Sequence, residues 1–241
     1  MSDRDEKDRV YARPLSEVRP FEFNETVAAV FQDMISRSVP GYELLLRMIG
    51  LYAGIFVQPG SRVYDLGCSL GEASLVIAGQ APDCEIVAVD NSTAMIEKCR
   101  QHPAVANRIE WRCEDIRSTG IKNASMVVLN LTLQFLPPAE RRPLLDVIFQ
   151  GLNPGGVLVL SEKIEFTDPT ENKRMQQLYA GFKKTMGYSE LEISQKRNAL
   201  ENVLVPDTGE KHLERLQSLG FAEVFQCFRG FNFVSYLAIK A

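Results

Sequence analysis

The chain has 241 residues, 45% of them hydrophobic and 24% charged, with a net charge of −4. That suits one large soluble domain. Direct grip on nucleic acid is disfavoured, because no Lys/Arg run supplies a basic face, and the longest apolar runs are too short to span a bilayer. The start, MSDRDEKDRVYARP, is charged and lacks the apolar stretch of a secretory signal. Five cysteines (Cys68, Cys84, Cys99, Cys113, Cys227) are scattered, with no CxxC pair. That pattern fits reduced thiols in the cytoplasm, with neither disulfides nor a metal site.

Residues 1–20 read as a flexible polar arm. Asn24 can then cap a helix with Val27, Val30, Phe31, Met34 and Ile35 on one face. SVPGY (38–42) breaks it, and a second apolar helix runs from Glu43 to about Phe56. After Pro59-Gly60, strands and helices alternate: strand 61–66, helix 71–79, strand 85–90, helix 92–101 capped by Ser92, strands 108–113 and 125–131, helix 139–150 and strand 157–161. This alternation predicts an α/β fold with a parallel sheet covered on both faces. From 162 to 220 the text is mostly helical, with helices over 171–186 and 189–204, and Ser189 and Glu192 form a capping box. The last stretch reads as two strands joined at Arg229-Gly230.

Ligands of open α/β sheets lie at the carboxyl ends of the strands, and four motifs fall there in order. The turn Gly67-Cys68-Ser69 follows strand one and lets the backbone approach a ligand. Asp90-Asn91 ends strand two, 23 residues past Gly67. An acidic side chain at that distance is placed to bond both ribose hydroxyls of a nucleoside. Asp115-Ile116 follows strand three, where a carboxylate and the next N–H can meet an adenine. Asn130 ends strand four, facing the amino-acid part of the ligand. These features suit S-adenosylmethionine (SAM). A nicotinamide-binding domain uses the same acidic position, but GCSLGEAS lacks its G-x-G-x-x-G spacing.

Five stretches carry a more specific resemblance: RSVPGY (37–42), VYDLGCSLGEAS (63–74), NASMVVLNLTLQFL (123–136), GLNPGGVLVLSEK (151–163) and GYSELEISQKRNALENV (187–203). From about Phe23 to the C-terminus the chain resembles the carboxy-S-adenosyl-L-methionine synthase family. The resemblance implies a Rossmann-like SAM-methyltransferase fold over 1–241: a mostly parallel seven-stranded sheet with a C-terminal antiparallel hairpin, N-terminal helices over 24–56 and a helical insertion over 162–220. It implies a homodimer that converts SAM and prephenate to carboxy-SAM and phenylpyruvate without a metal. The product would pass to a separate enzyme that modifies a wobble uridine of tRNA. It implies cofactor contacts at Tyr42, Gly67, Cys68, Ser69, Asp90, Asn91, Asp115, Ile116 and Asn130. Arg197 would hold the new carboxylate.

That chemistry is coherent. The sulfonium makes its methyl protons weakly acidic, and decarboxylation of prephenate with loss of its hydroxyl supplies CO₂ and a base beside them. The protein then contributes mainly positioning and charge. His102 and His212 lie outside every strand-end motif and read as surface residues. On a helix over 189–204, Ile193, Arg197, Leu200 and Leu204 share one face. An arginine there is either paired, to Glu192 or Glu201, or aimed at a ligand. Lys163, Lys196 and Arg37 are further candidate anion partners, although solvated surface cations are the commoner case. Alternative readings are a conventional SAM-dependent small-molecule methyltransferase and a SAM-binding regulatory module.

Overall fold

The computed structural model describes residues 7–101 and 108–241. Its first helix, α1 (Glu25–Ser38), begins where Asn24 accepts a hydrogen bond from the Val27 N–H at 3.1 Å. Gly41, at φ +73°, turns the chain into α2 (Tyr42–Phe56). Next come β1 (Arg62–Leu66), α3 (Glu72–Gln80), β2 (Glu85–Asp90), α4 (Thr93–Arg100, capped by Ser92), β3 (Ile109–Cys113), β4 (Ala124–Asn130), α5 (Pro138–Gly151) and β5 (Leu152–Glu165). The chain then forms α6 (Pro169–Thr185), α7 (Glu190–Leu200), β6 (Asp207–Thr208), α8 (Gly209–Leu219), β7 (Glu223–Gly230) and β8 (Phe233–Ile239).

The sheet order is β3-β2-β1-β4-β5-β8-β7, and the two-residue β6 adds an eighth strand beside β5. β8 runs antiparallel to both β5 and β7. Alternate side chains of the central strands enter two different cores, as a doubly covered sheet requires. Val127, Leu129, Leu158 and Leu160 join the layer of α5 and α8. Met126, Val128, Val157 and Val159 join that of α2 and α3. This explains the unbroken apolar text of VVL and VLVL.

Several expectations change. Residues 7–20 are no loose arm: Asp8 and Tyr11 are buried. The Gln195 side chain donates to the carbonyls of Tyr11 and Arg13 and accepts from the Leu15 N–H. β5 continues to Glu165, so the helical segment starts only at the Asp168 cap. α7 stops at Leu200, and Asn202 turns through φ +65°. Leu204 is therefore off the helix. α8 was not anticipated; Thr208 caps it and Gly220, at φ +97°, ends it. The closing turn lies at Phe231-Asn232 instead of Arg229-Gly230. Gly230 is the last residue of β7, paired with Phe233, and glycine is needed there because a Cβ would meet Phe228 at 2.9 Å and Pro40 at 3.3 Å.

His212 is buried, not a surface residue; burial first, and Arg215 next, bring its imidazole down to about 4. His102 lies outside the described residues. His212 sits beside a buried ion network in which Asp207 accepts from Arg141 at 2.7 Å, Arg215 at 2.7 Å and Lys211 at 2.5 Å. Arg141 also donates to the carbonyls of Leu136 and Val205, tying the loop after β4 to the segment before β6.

Burial opposes ionisation of Asp207, but hydrogen bonds from Lys211, Arg215 and Arg141 outweigh it and hold the carboxyl well below its ordinary range. A depressed carboxylate stabilises the fold above its unfolded pKa of about 3.9 and loses that contribution as pH falls through its folded value. Asp207→Asn should therefore destabilise by roughly 3 kcal/mol at pH 7, because it strands a buried guanidinium. The difference from wild type should shrink below about pH 4, as denaturant titration at the two pH values would measure.

Candidate active site at the carboxyl ends of the strands

β1 ends in a strained turn. Gly67 lies at φ +78°, and a Cβ there would meet the Thr132 side chain at 2.4 Å. Ser69 also takes a left-handed conformation, at φ +49°, which ordinarily costs an L-residue about 1 kcal/mol. Two bonds hold it there: its N–H donates to an Asp90 carboxylate oxygen at 2.9 Å, and its carbonyl accepts from the Cys99 thiol at 3.1 Å. The other Asp90 oxygen accepts from the Ser92 N–H at 2.8 Å. Behind the turn, Asp65 accepts from both the N–H and hydroxyl of Ser74, at 3.1 and 2.6 Å. Burial nevertheless pushes its carboxyl up to about 6.

The turn opens on a cavity of about 510 Å³, within the range of small-molecule sites. Gly67, Ser69, Asp90, Asn91, Asp115, Ile116 and Asn130 all line it. Asp115 accepts from the Arg117 N–H at 2.8 Å and pairs with its guanidinium, which holds the carboxyl below its ordinary range. The side-chain oxygen of Asn130 is buried without a hydrogen-bond partner, and the next residue, Leu131, is also left-handed at φ +64°. An orphaned buried acceptor on a cavity wall asks for a donor from a ligand. Glycine access, a carboxylate one strand over, a second carboxylate beyond it and a free amide acceptor together fit an adenosyl amino acid.

Three expected contacts stand elsewhere. Cys68 is buried beneath the turn, and its contact with Cys99 and its burial raise the thiol well above its usual range. Tyr42 packs against Val39, Leu45, Leu131 and Phe233. Burial first, and the Glu72 carboxylate next, push its phenol well up. Neither lines the cavity. Arg197 is exposed on α7, whose buried residues are Gln195, Lys196 and Ala199. It makes no ion pair to Glu192 or Glu201 among the described residues; Glu192 bonds back to Ser189 instead.

Three cations line the cavity: Arg117, which is paired to Asp115 and Glu140, and Lys163 and Lys196. The two lysines, with Arg37, are not solvated surface charges. Lys196 and Arg37 are buried, and burial lowers the Lys163 amine. The apolar lid was also unforeseen. Phe23 meets Phe21, Phe31 and Phe135 edge-on at 5.1–6.0 Å and lines the cavity. Its only sequence signal was a pair of aromatics just before the Asn24 cap.

Residues 63–156 match the family model for a methyltransferase domain. The fold resembles human N-acetylserotonin methyltransferase in complex with SAM (TM-score 0.59, 18% identity, covering 90% of this chain and 55% of that one). It also resembles magnesium protoporphyrin IX methyltransferase from Synechocystis with bound SAH (TM-score 0.59, 14% identity, covering 86% and 87%). Carboxy-S-adenosyl-L-methionine synthase from Trichlorobacter lovleyi is 50% identical over 239 residues, covering 97% of this chain and 98% of its own. The Escherichia coli enzyme of the same name is 51% identical over 243 residues, covering 98% and 97%. With likeness at that level across nearly the whole length of both relatives, the chain belongs to the carboxy-S-adenosyl-L-methionine synthase family of enzymes, built on the Rossmann-like methyltransferase fold.

Proposed function

We propose that the protein converts SAM and prephenate into carboxy-SAM, phenylpyruvate and water. The observation that carries this reading is one cavity with the carboxylates of Asp90 and Asp115 at one end and the half-buried Lys163 and buried Lys196 at the other. The acidic end suits a cationic nucleoside, and the lysine end suits an anionic co-substrate. SAM would lie with its ribose on Asp90, its adenine at Asp115 and Ile116, and its amino-acid part at Asn130. In the balanced reaction, prephenate loses carbon dioxide and hydroxide as its ring becomes aromatic. The SAM methyl group gives a proton to that hydroxide, and its carbon bonds to the carbon dioxide. No side chain need gain or lose a proton overall. The cavity must keep carbon dioxide beside the methyl group and exclude bulk water.

The protein is proposed to act in the cytoplasm as a homodimer, with no direct contact to nucleic acid and no membrane contact. Its product would pass to a separate enzyme that carboxymethylates a tRNA wobble uridine. In support of a dimer, α2 exposes Leu44, Leu51 and Ile55 along one face. No described helix is long and apolar enough to cross a membrane.

Incubation with SAM and prephenate should yield phenylpyruvate and a nucleoside heavier than SAM by one carbon dioxide, read by mass spectrometry. Recovery of unaltered SAM with prephenate intact would refute the assignment. Asp90→Ala should weaken SAM binding by roughly 2–4 kcal/mol in calorimetry. Unchanged affinity would remove Asp90 from the nucleoside site.

Arg197 tests the placement of the new carboxylate. If Arg197 meets it despite its exposed position, Arg197→Ala should bind SAM as wild type does and lose affinity selectively for carboxy-SAM. Equal affinities for both ligands in wild type and variant would exclude that role.

A further inference from the structure

Four cations converge where α6 and α7 pack on β5 and α1. Lys163 of β5 lines the cavity, with its ammonium 5.3 Å from the centre of the Tyr179 ring. Lys183 of α6 is 7% exposed and stands 4.4 Å from the same ring. Lys196 of α7 lines the cavity and bonds the Ser38 hydroxyl at 3.0 Å. Arg37 of α1 lies over the Tyr188 ring at 4.0 Å.

The acids that answer them are fewer. Asp33 pairs with Arg37 at 2.7 Å, and Asp8 lies 3.8 Å from Lys196. Among the described residues no carboxylate comes within ion-pair distance of Lys163 or Lys183. Among the described residues, four cations against two carboxylates leave two positive charges without an acidic partner, and the exposed Arg197 adds to the field at Lys183. Burial, and then Lys163, Lys196 and Arg197, bring the Lys183 amine down to about 7. Burial brings Lys196 down to about 8 against the pull of Asp8. Tyr179 offers its ring to both unpaired ammoniums, a weak partner compared with a carboxylate. Lys163 and Lys183, without a carboxylate partner among the described residues, are both held as ammoniums only when an anion neutralises them.

We infer that Lys163 and Lys183, flanking Tyr179, form the carboxylate-binding seat of the second substrate and select a dicarboxylate dianion. The inference rests on the two-substrate reading above and names the residues that reading leaves open. Lys163 reaches the cavity from β5, the strand next to Asn130 in the sheet. An anion at Lys163 therefore sits beside the amino-acid end of the bound nucleoside, where the sulfonium methyl group lies. Lys183 is not among the cavity-lining residues; from 4.4 Å off the Tyr179 ring it adds its charge through space and not by contact. The seat holds the co-substrate by its carboxylates, and Lys163 and Lys183 take no proton in the reaction: they are positioning residues.

The test uses Lys163→Met and Lys183→Met, which keep the apolar stem and remove the charge, with Lys163→Arg and Lys183→Arg as charge-retaining partners. SAM affinity is measured by calorimetry and prephenate kinetics by phenylpyruvate release. Malonate binding to the SAM-loaded protein is measured separately, with no turnover required. Each Met variant should keep the wild-type melting temperature or exceed it, and should hold SAM within about twofold. Each should raise the prephenate KM by roughly tenfold or more and lose malonate binding by a similar factor. The Arg variants should recover most of both. A prephenate KM and malonate affinity within about twofold of wild type in both Met variants would overturn the seat, as would failure of the wild type to bind malonate. If the wild type binds malonate at these lysines yet produces nothing from prephenate, the seat stands and the prephenate assignment falls.

Discussion

The site depends on one carboxylate. Asp90 ends β2 and accepts the Ser69 N–H through one oxygen and the Ser92 N–H through the other. The first bond closes the turn after β1, and the second fixes the start of α4. Burial works against ionisation of Asp90, while the Ser92 and Ser69 bonds favour it. The same carboxylate keeps lone pairs on the cavity side, so one group both builds the turn and addresses the ligand. This accounts for a serine at a left-handed position that glycine usually fills. The Asp90 and Cys99 bonds offset the conformational cost, and Ser69 leaves a hydroxyl on the cavity wall.

Around that turn the molecule separates charge. Asp65, Asp90 and Asp115 gather at the ends of β1, β2 and β3, while Lys163, Lys183 and Lys196 come from β5, α6 and α7. The net charge of −4 says nothing of this polarity, because only folding brings β5 and α7 to the same wall. Placing a cation and an anion at opposite ends of one cavity orients both reactants before any bond changes. The aromatic lid of Phe21, Phe23 and Phe31 lowers the local dielectric, so those charges act more strongly than they would at an exposed surface.

The strand-end residues were legible because their logic is local. A strand, a small-residue turn and an acid about one βα unit later occupy fixed places in a parallel sheet. Asp90, Asp115 and Asn130 accordingly reached the cavity from spacing alone. The lysines did not, because their meaning is tertiary. Lys196 and Arg197 are adjacent in sequence, and only the rotation of α7 against α1 decides which is buried. Extending α7 to residue 204 put the wrong face inward by making Leu204 a helical neighbour of Arg197. The early stop at Leu200 sends Val203 and Leu204 to the cavity by another route. The arm of residues 7–20 was misread for a related reason. Its contacts are to Gln195 and Tyr188, about 180 residues away, and a polar composition does not report them.

The same division separates what the fold explains from what the reaction needs. The Rossmann-like sheet is shared with methyltransferases at 14 and 18% identity, and shared architecture does not choose a chemistry. On the proposed placement the strand ends would hold the adenosyl group, a task common to methyl transfer and to carboxylation of the methyl group itself. Selection falls to whatever faces the sulfonium. An acceptor for methyl transfer needs a nucleophile there, and a cationic wall would bring it no advantage. The proposed reaction instead calls for a wall of ammoniums that would draw in the co-substrate's carboxylate and screen its charge. In this chain α6 and α7, with the far end of β5, provide that wall. On the proposed reading, the helical segment after β5 is the part of the fold in which the reaction is specified.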